Sequence, residues 1–389
     1  MVYTSTELSP LGDELLERIR SRAAKHDREN TFPADDLADL IACGYLRSLV
    51  PVSHGGLGRS VQQVADDQIR LAAHAPATAL AVNMHLVWTG VALTLHQRGD
   101  DSLACVLHGA AAGEIFGFGV SEPGNDLVLS DSITTATPQP DGGYRFTGTK
   151  IFTTLSPAWT RLGTMGIDRD SVDGPKIVWA FIDRGDPGVS QKNDWDTLGM
   201  RASQSRSTVL TGASARPEQV FRRLDPGPNP DPLIFAIFAN FEILLAAVYT
   251  GIGRRAVELA VLAAKRRTSL KHDGRTLAQD PDIRWRVAEA AMMMDGLYPQ
   301  LDALAHDLAT QADHGPRWFP LLSGLKYRAT ETARLVVDQA LRVSGGSSYF
   351  AGNELGRLYR DVLAGLFHPS DAESAHATVA AAWLGPLDV

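Results

Sequence analysis

Residues 232–251 read PLIFAIFANFEILLAAVYTG, a run long enough to cross a bilayer as a helix. Asn240 and Glu242 stand at its middle, where a charge costs about 3 kcal/mol on membrane-insertion scales. The preferred reading is a buried core helix, with a membrane span as the alternative. A helix apolar around its whole circumference must be covered on every side. The remainder of the chain has to supply that cover.

Helical spacing dominates both ends. Leu15, Ile19 and Ala23 recur at every fourth position, FPADDLADLIACGYL begins after a proline and stops near Gly44, and ATALAVNMHLVWTGVALTLHQRG is apolar nearly all round. After Pro232 the helical pattern returns in RRAVELAVLAAKRR, DIRWRVAEAAMMMDGLYPQLDALAHDLATQ and ATETARLVVDQALRVSGG. Between them, from Ile115 to Asp231, short apolar runs alternate with turn residues. Asp141-Gly142 precedes YRFTGTKIFTT and Asp173-Gly174 precedes KIVWAFI, as turns that feed strands do. The expectation is a mainly α fold with a central β domain. Its parts are an N-terminal helical domain at 1–114, a middle β domain at 115–231 and a C-terminal helical bundle at 232–389. Ligands settle where such units meet, because concave surfaces and convergent polar groups arise there.

Composition narrows the partners. The 389 residues carry a formal charge of -8, which argues against nucleic acid and anionic membranes, since both are held by clustered Lys and Arg. Cys43 and Cys105 are too few for a disulfide framework or a zinc cluster, so no metal site is expected. The N-terminus lacks a basic region followed by an apolar run, and a cytoplasmic location is the expectation. Small molecules are the partners anticipated.

Four stretches, LVPVSHGGLG (49–58), FGVSEPGNDL (118–127), GYRFTGTKIFTT (143–154) and LGMRASQS (198–205), occur in an order and spacing that resembles the acyl-CoA dehydrogenase superfamily over nearly the whole chain. The resemblance implies a middle β-barrel or sandwich, a C-terminal four-helix bundle, a flavin between them and a homotetramer. It places Phe118, Val120 and Ser121 against the isoalloxazine ring and Phe152, Thr153 and Thr154 over its other side. That mixture of aromatic face and hydroxyls suits a flavin. Gly345 and Gly346, in SGGSSYFAG, approach the cofactor in such proteins.

The sequence departs from the pattern in three places. EPGND is two residues shorter than the family's usual Glu-Pro-Gly-Ala-Gly-Ser-Asp. AAKRRTSLKHDG lacks the Phe-Gly that helps hold FAD, although Arg266 and Arg267 could still take a phosphate, so the cofactor is FAD or FMN. The third departure concerns the base. Dehydrogenases of this kind remove the α proton of an acyl thioester with a Glu, and counting from Arg360-Asp361 its position is Pro369, which accepts no proton. Some members carry the base on an earlier helix, but Glu258 lies too far upstream of Arg266 for that role. Asp371 and Glu373 stand close by, yet Ser370-Asp371-Ala372-Glu373 has the form of a capping box ahead of AHATVAAAWLG.

His368 stands where the base is missing. Arg-Asp, six residues and then His resembles the two-component flavin monooxygenases, the branch that contains dibenzothiophene monooxygenase and the amino-sugar nitrososynthases. NDWDTLGMRASQSRST (193–208) and His85 in NMHLVW resemble the same branch. Oxygen chemistry on a reduced flavin needs hydrogen-bond donors near the oxygen atoms and exclusion of water. An imidazole suits that task. His368 is assigned to it, His85 assists, and Trp88, Tyr349 and Phe367 are expected to line the substrate pocket.

The reading that follows is a flavin-dependent monooxygenase using reduced flavin from a separate reductase and O₂ on a small organic molecule. Its rivals are an acyl-CoA dehydrogenase with Asp371 or Glu373 as base, and a flavin-binding relative without catalysis.

Overall fold

A computed structural model describes residues 9–387; the first eight positions of the stretch read for a targeting segment lie outside them. Five helices come first: α1 (Asp13–Glu29), α2 (Ala34–Ala42), α3 (Val61–His74), α4 (Pro76–His96) and α5 (Ala104–Ala111). Eight strands follow, β1 (Phe116–Gly119), β2 (Thr135–Pro138), β3 (Tyr144–Lys150), β4 (Arg161–Asp168), β5 (Lys176–Asp183), β6 (Val189–Gln191), β7 (Thr208–Ala215) and β8 (Val220–Leu224). The chain closes with α6 (Pro232–Arg266), α7 (Pro281–Ala309), α8 (Trp318–Ser344), α9 (Glu354–Val362) and α10 (Ala372–Leu384). The fold is therefore mainly α with a central sheet, as the alternation of patterns anticipates.

The apolar run at 232–251 forms the first half of α6, which Asp231 caps through the Leu233 N–H. It is wrapped by α3, α4, α7 and α8. Both helices long and apolar enough to span a membrane, α4 and α6, are mostly buried inside the protein. The Asn240 amide nitrogen is satisfied there, donating to Thr94 Oγ1 at 3.0 Å and to the Ala236 carbonyl at 2.9 Å, while its Oδ1 is buried without a partner. A polar residue that denies the run a place in lipid thus fixes the crossing of α4 on α6.

The sheet runs β6-β7-β3-β2-β4-β5-β8, with β1 parallel to β4. Asp141 and Gly142 sit in the β2–β3 hairpin, where Asp141 accepts from the Gly143 N–H and Gly142 adopts φ +88°. β4 and β5 are buried along nearly their whole length, and β5 reads as a continuous apolar run rather than an alternating one. Their cover is aromatic. Trp88 from α4 lies 5.3 Å from Phe118, 5.1 Å from Phe181 and 5.9 Å from Phe221.

Gly163 makes room for this wedge. A Cβ there would fall 2.3 Å from the Trp88 ring, and neither the strand nor the fully buried indole has space to retreat. Gly163→Ala is expected to destabilise the protein by about 1–3 kcal/mol through overpacking, read by denaturant unfolding followed by tryptophan fluorescence.

Candidate active site

β1 ends at Gly119 and hands over to Val120 and Ser121. The Ser121 carbonyl accepts from the Ile151 N–H at 2.9 Å, which sets Val120-Ser121 beside Phe152-Thr153-Thr154 beyond the end of β3. The next residue, Glu122, locks the arrangement. Its carboxylate is fully buried with the Lys150 ammonium at 2.6 Å, and it accepts from Ser132 Oγ and from the N–H groups of Ile133 and Thr134. Burial alone would raise its pKa, but the Lys150 charge and these donors bring it down to about 2. Lys150 also donates to the Met165 carbonyl at 2.7 Å, tying the loop to β4.

The segment after β3 pairs with the one before β7. Thr153 N–H donates to the Arg206 carbonyl, Leu155 N–H to that of Ser203 and Ser156 N–H to that of Gln204, while Thr154 Oγ1, Ser205 Oγ and Ser203 Oγ form a chain of hydroxyls at 2.9 and 2.8 Å. Backbone strain concentrates here. Of the eight described non-glycine residues with positive φ, Phe152, Leu155, Met200 and Gln204 belong to these segments, and Asn30 receives the Gln204 amide. Each such residue costs about 1–3 kcal/mol and persists only where its surroundings dictate it.

This cradle fits a flavin. Phe152 is 56% exposed, with its ring edge-on to Trp195 at 6.2 Å, an aromatic face with nothing of its own chain stacked flat upon it. Thr153 Oγ1 is buried without a partner, and a buried hydroxyl left so awaits an acceptor or donor from outside. Ser121 is half-buried at the polar edge and Val120 is buried. Phe118 contributes differently from the expectation of a ring contact by its side chain. Its ring lies against Trp88 and, at 5.7 Å, Phe241 of α6, so its backbone is what remains to meet a ligand.

The LGMR segment reaches the C-terminal helices. Met200 N–H donates to Asp361 Oδ1 at 2.6 Å, Arg360 donates to the Leu198 carbonyl at 2.8 Å, and a Cβ on Gly199 would collide with the Arg360 carbonyl. Asp361 is buried, and burial pushes its carboxyl up to about 6. The chain then runs as a strap from Gly365 to Ser370. Pro369 occupies the place counted for the base. His368, half-buried, has Nδ1 at 3.0 Å from the Tyr249 hydroxyl. Burial and then the Lys326 charge hold its imidazole well below the ordinary histidine range, so it is neutral. Tyr249 is fully buried, and its hydroxyl has the imidazole Nδ1 as hydrogen-bond partner; with the hydroxyl donating, the ring hydrogen sits on Nε2.

The acids weighed as alternative bases are otherwise engaged. Asp371 caps α10 by accepting from the Ser374 N–H at 2.8 Å, and Glu373 is exposed in its first turn. The capping box expected from Ser370 to Glu373 does not form: Asp371 is the N-cap, and Ser370 is turned inward to Glu242. In the sequence Glu242 marks only an obstacle to membrane insertion. It is buried, accepts from Ser370 N and Oγ at 3.0 and 2.8 Å, and its Oε2 has no partner. Burial pushes its carboxyl well above the ordinary range. A charge at the centre of an apolar helix is the signal that would have found it.

Other expected residues stand elsewhere. His85 is fully buried, its Nδ1 accepting from the Phe116 N–H at 3.1 Å and its Nε2–H donating to the Leu46 carbonyl at 2.8 Å. Both nitrogens are used by backbone, so the ring joins α4 to β1 and has nothing left for an assisting role. Trp88 is a core wedge whose Nε1–H donates to the Gly117 carbonyl, not a pocket wall. Arg267 gives its guanidinium to the Ser344 carbonyl at the end of α8 and lies where a Cβ on Gly345 would stand. It acts as a helix-end cap rather than a free phosphate clamp. Arg266 is exposed, Gly346 has open space beside it, and Tyr349 and Phe367 project into solvent.

Comparison with known proteins agrees with this geometry. Residues 243–370 match the family model described as acyl-CoA dehydrogenase, C-terminal domain. Amino sugar nitrososynthase RubN8 of Streptomyces rubradiris is 30% identical over 375 residues, 93% of this chain and 85% of that protein. L-evernosamine nitrososynthase of a Micromonospora strain is 29% identical over 361 residues, 91% of this chain and 84% of that one. Among solved structures, KijD3 in complex with FMN and a dTDP-linked amino keto sugar superposes with a TM-score of 0.85 at 27% identity, covering 96% of this chain and 92% of that one. The helical frame, the strained cradle and these relatives together make the chain a member of the acyl-CoA dehydrogenase superfamily of flavin-dependent oxidoreductases, in the part that includes the amino-sugar nitrososynthases.

Proposed function

We propose that the chain is a two-component flavin monooxygenase whose substrate is a small molecule bearing an amine, oxidised at nitrogen. The observation that carries this reading is the pairing of Pro369, which accepts no proton, with a neutral His368 held through Nδ1 by Tyr249. The nitrososynthase relatives favour nitrogen as the atom oxidised. Arg267 is engaged at the end of α8 and so is not free to clamp an adenosine diphosphate, and FMN is the cofactor proposed.

When bound, the reduced flavin supplies the two electrons with which O₂ is split. One oxygen atom goes to the substrate nitrogen, and the other leaves as water after taking up two protons. Phe152 would cover one face of the ring and the backbone from Phe118 to Ser121 would meet the other, while Ser121, Thr153 and Thr154 would hold its polar edge. His368 would donate from Nε2 to the oxygen atoms during the transfer. A separate reductase supplies reduced flavin, and a cytoplasmic homotetramer is the working form.

The test couples purified protein to a flavin reductase, NADH, FMN and isotopically labelled O₂ with a panel of primary amines, nucleotide-linked amino sugars included. Labelled oxygen in a hydroxylamine or nitroso product is the expected result. Product without the label, or none across the panel, contradicts it.

Glu242 favours a second reading. It is a buried carboxyl of raised pKa with one free oxygen on α6, the kind of group that removes a proton α to a thioester. Anaerobic bleaching of bound flavin by an acyl-CoA, abolished in Glu242→Gln, is what that reading requires.

A further inference from the structure

The interface of α6 and α8 includes aromatic contacts of Phe235 and Phe238 with Trp318 and Phe319, and one seam of buried polar side chains crosses it. α6 contributes Glu242 and Tyr249, seven residues and so about two turns apart on one face. α8 contributes Ser323, Lys326 and Thr330 at helical spacing. All five are buried, and the strap from Gly365 to Ser370 lies over them.

The strap is fastened at three points. Lys326 Nζ donates to the carbonyls of Gly365, His368 and Ser370 at 2.7, 2.5 and 2.8 Å, which uses all three hydrogens of the ammonium. Glu242 Oε1 takes both the N–H and the Oγ–H of Ser370, and Ser370 Oγ also lies 3.2 Å from Ser323 Oγ. Tyr249 holds the imidazole of His368. Gly365 has no room for a side chain, since a Cβ would fall 2.6 Å from Thr330 Cγ2 and 2.8 Å from Tyr249 Cζ. The strap therefore lies flat on the seam, with no slack at either end.

Holding a loop does not by itself call for buried ions. An ammonium and a carboxylate taken out of water each cost several kcal/mol, and well-packed apolar side chains of similar volume often serve stability as well or better. The charges here act on one ring, because the Lys326 ammonium holds the carbonyl of His368 itself. The other charged groups near the seam are Glu331 of α8, Asp361 of α9 and Asp371 at the start of α10. None of these makes a hydrogen bond to the strap between Gly365 and His368 among the described residues.

We infer that Lys326 and Glu242 are positioning residues for His368: they fix the 365–370 strap so that Nδ1 of the imidazole takes the Tyr249 hydrogen bond and the ring N–H stays on Nε2, directed to the flavin chemistry. What Nε2 does there rests on the monooxygenase reading; the locking of the ring does not. Lys326 adds a second effect, since a positive charge beside the strap opposes protonation of the imidazole.

The experiment follows the ring nitrogens of His368 by ¹⁵N NMR across pH in the full-length protein, with and without FMN. The variants are Lys326→Met, Lys326→Arg, Glu242→Gln and Tyr249→Phe. In the wild type a single Nε2–H tautomer that does not titrate through the ordinary histidine range is expected. Lys326→Met and Glu242→Gln should give mixed tautomers, and Lys326→Met should move the protonation of His368 upward from its wild-type position, burial still holding it below the ordinary histidine range. Lys326→Arg, which keeps the charge and several donors, should restore much of the wild-type behaviour, as mere loss of packing would not allow. Should Lys326→Met fail to fold, Tyr249→Phe removes a single oxygen atom and must still mix the tautomers. Wild-type tautomer and titration in these variants overturn the inference. A locked ring in a protein that transfers no oxygen would instead leave the positioning intact and remove the monooxygenase reading.

Discussion

Lys150→Met is expected to cost about 3–5 kcal/mol of stability, because it removes one partner of a buried ion pair and leaves the other uncompensated. Neither side chain of the Glu122–Lys150 pair reaches solvent, and the remaining donors to Glu122, from Asn125, Ser132, Ile133 and Thr134, are neutral. The sign with pH follows from Glu122. Its folded pKa of about 2 lies below the ordinary carboxylate value of about 4.3, so its stabilisation is complete above that value and is lost as pH falls toward the folded pKa. In Lys150→Met burial without the ammonium raises the folded pKa of Glu122, so this acid-side loss should shrink, and it reverses in sign once the folded pKa exceeds the unfolded value. Urea unfolding at neutral and acid pH reads both effects. Flavin affinity should fall as well, since Ser121 adjoins Glu122. A variant as stable as the wild type would contradict the assignment of this pair as the brace of the cradle.

His368→Ala is expected to lower the rate of oxygen transfer by about 10²–10⁴, the range attributed to a positioned proton donor. Flavin binding should be unchanged, because the cradle is built from the middle of the chain and not from the strap. Consumption of O₂ should continue with peroxide as product in place of oxidised amine. The ratio of product to O₂ consumed, with flavin affinity measured in parallel, separates this outcome from simple loss of cofactor. Loss of flavin binding with an unchanged ratio would place His368 in cofactor binding instead.

The main lines of the fold are legible in the sequence because they rest on local chemistry. Period and turn residues announce the helices and the hairpins, and the Asp-Gly pair at 141–142 sits in the turn it predicts. The candidate site is legible in part. The missing base at Pro369 follows from counting, and Phe152 to Thr154 do lie beside Ser121. Side-chain roles set by distant backbone are not legible. His85 is satisfied by Leu46, 39 residues before it, and by Phe116, 31 residues after it, and no periodicity reveals either partner. Trp88 turns to a sheet that the helical pattern cannot foresee, and Arg267 meets the end of a helix 77 residues further on. Glu242 escaped for the opposite reason. Its charge is conspicuous, but only the folded chain brings Ser370 and Lys326 to it, 128 and 84 residues away.

The central claim is that this chain activates O₂ on a reduced flavin and does not withdraw hydride from a thioester. Its most direct test mixes the protein anaerobically with reduced FMN, adds O₂ in the presence of an amine substrate, and records absorbance on the millisecond scale. The account predicts a transient distinct from both reduced and oxidised flavin, long-lived in the wild type and short-lived in His368→Ala. Direct return to oxidised flavin in the wild type, together with anaerobic bleaching by an acyl-CoA, would contradict it.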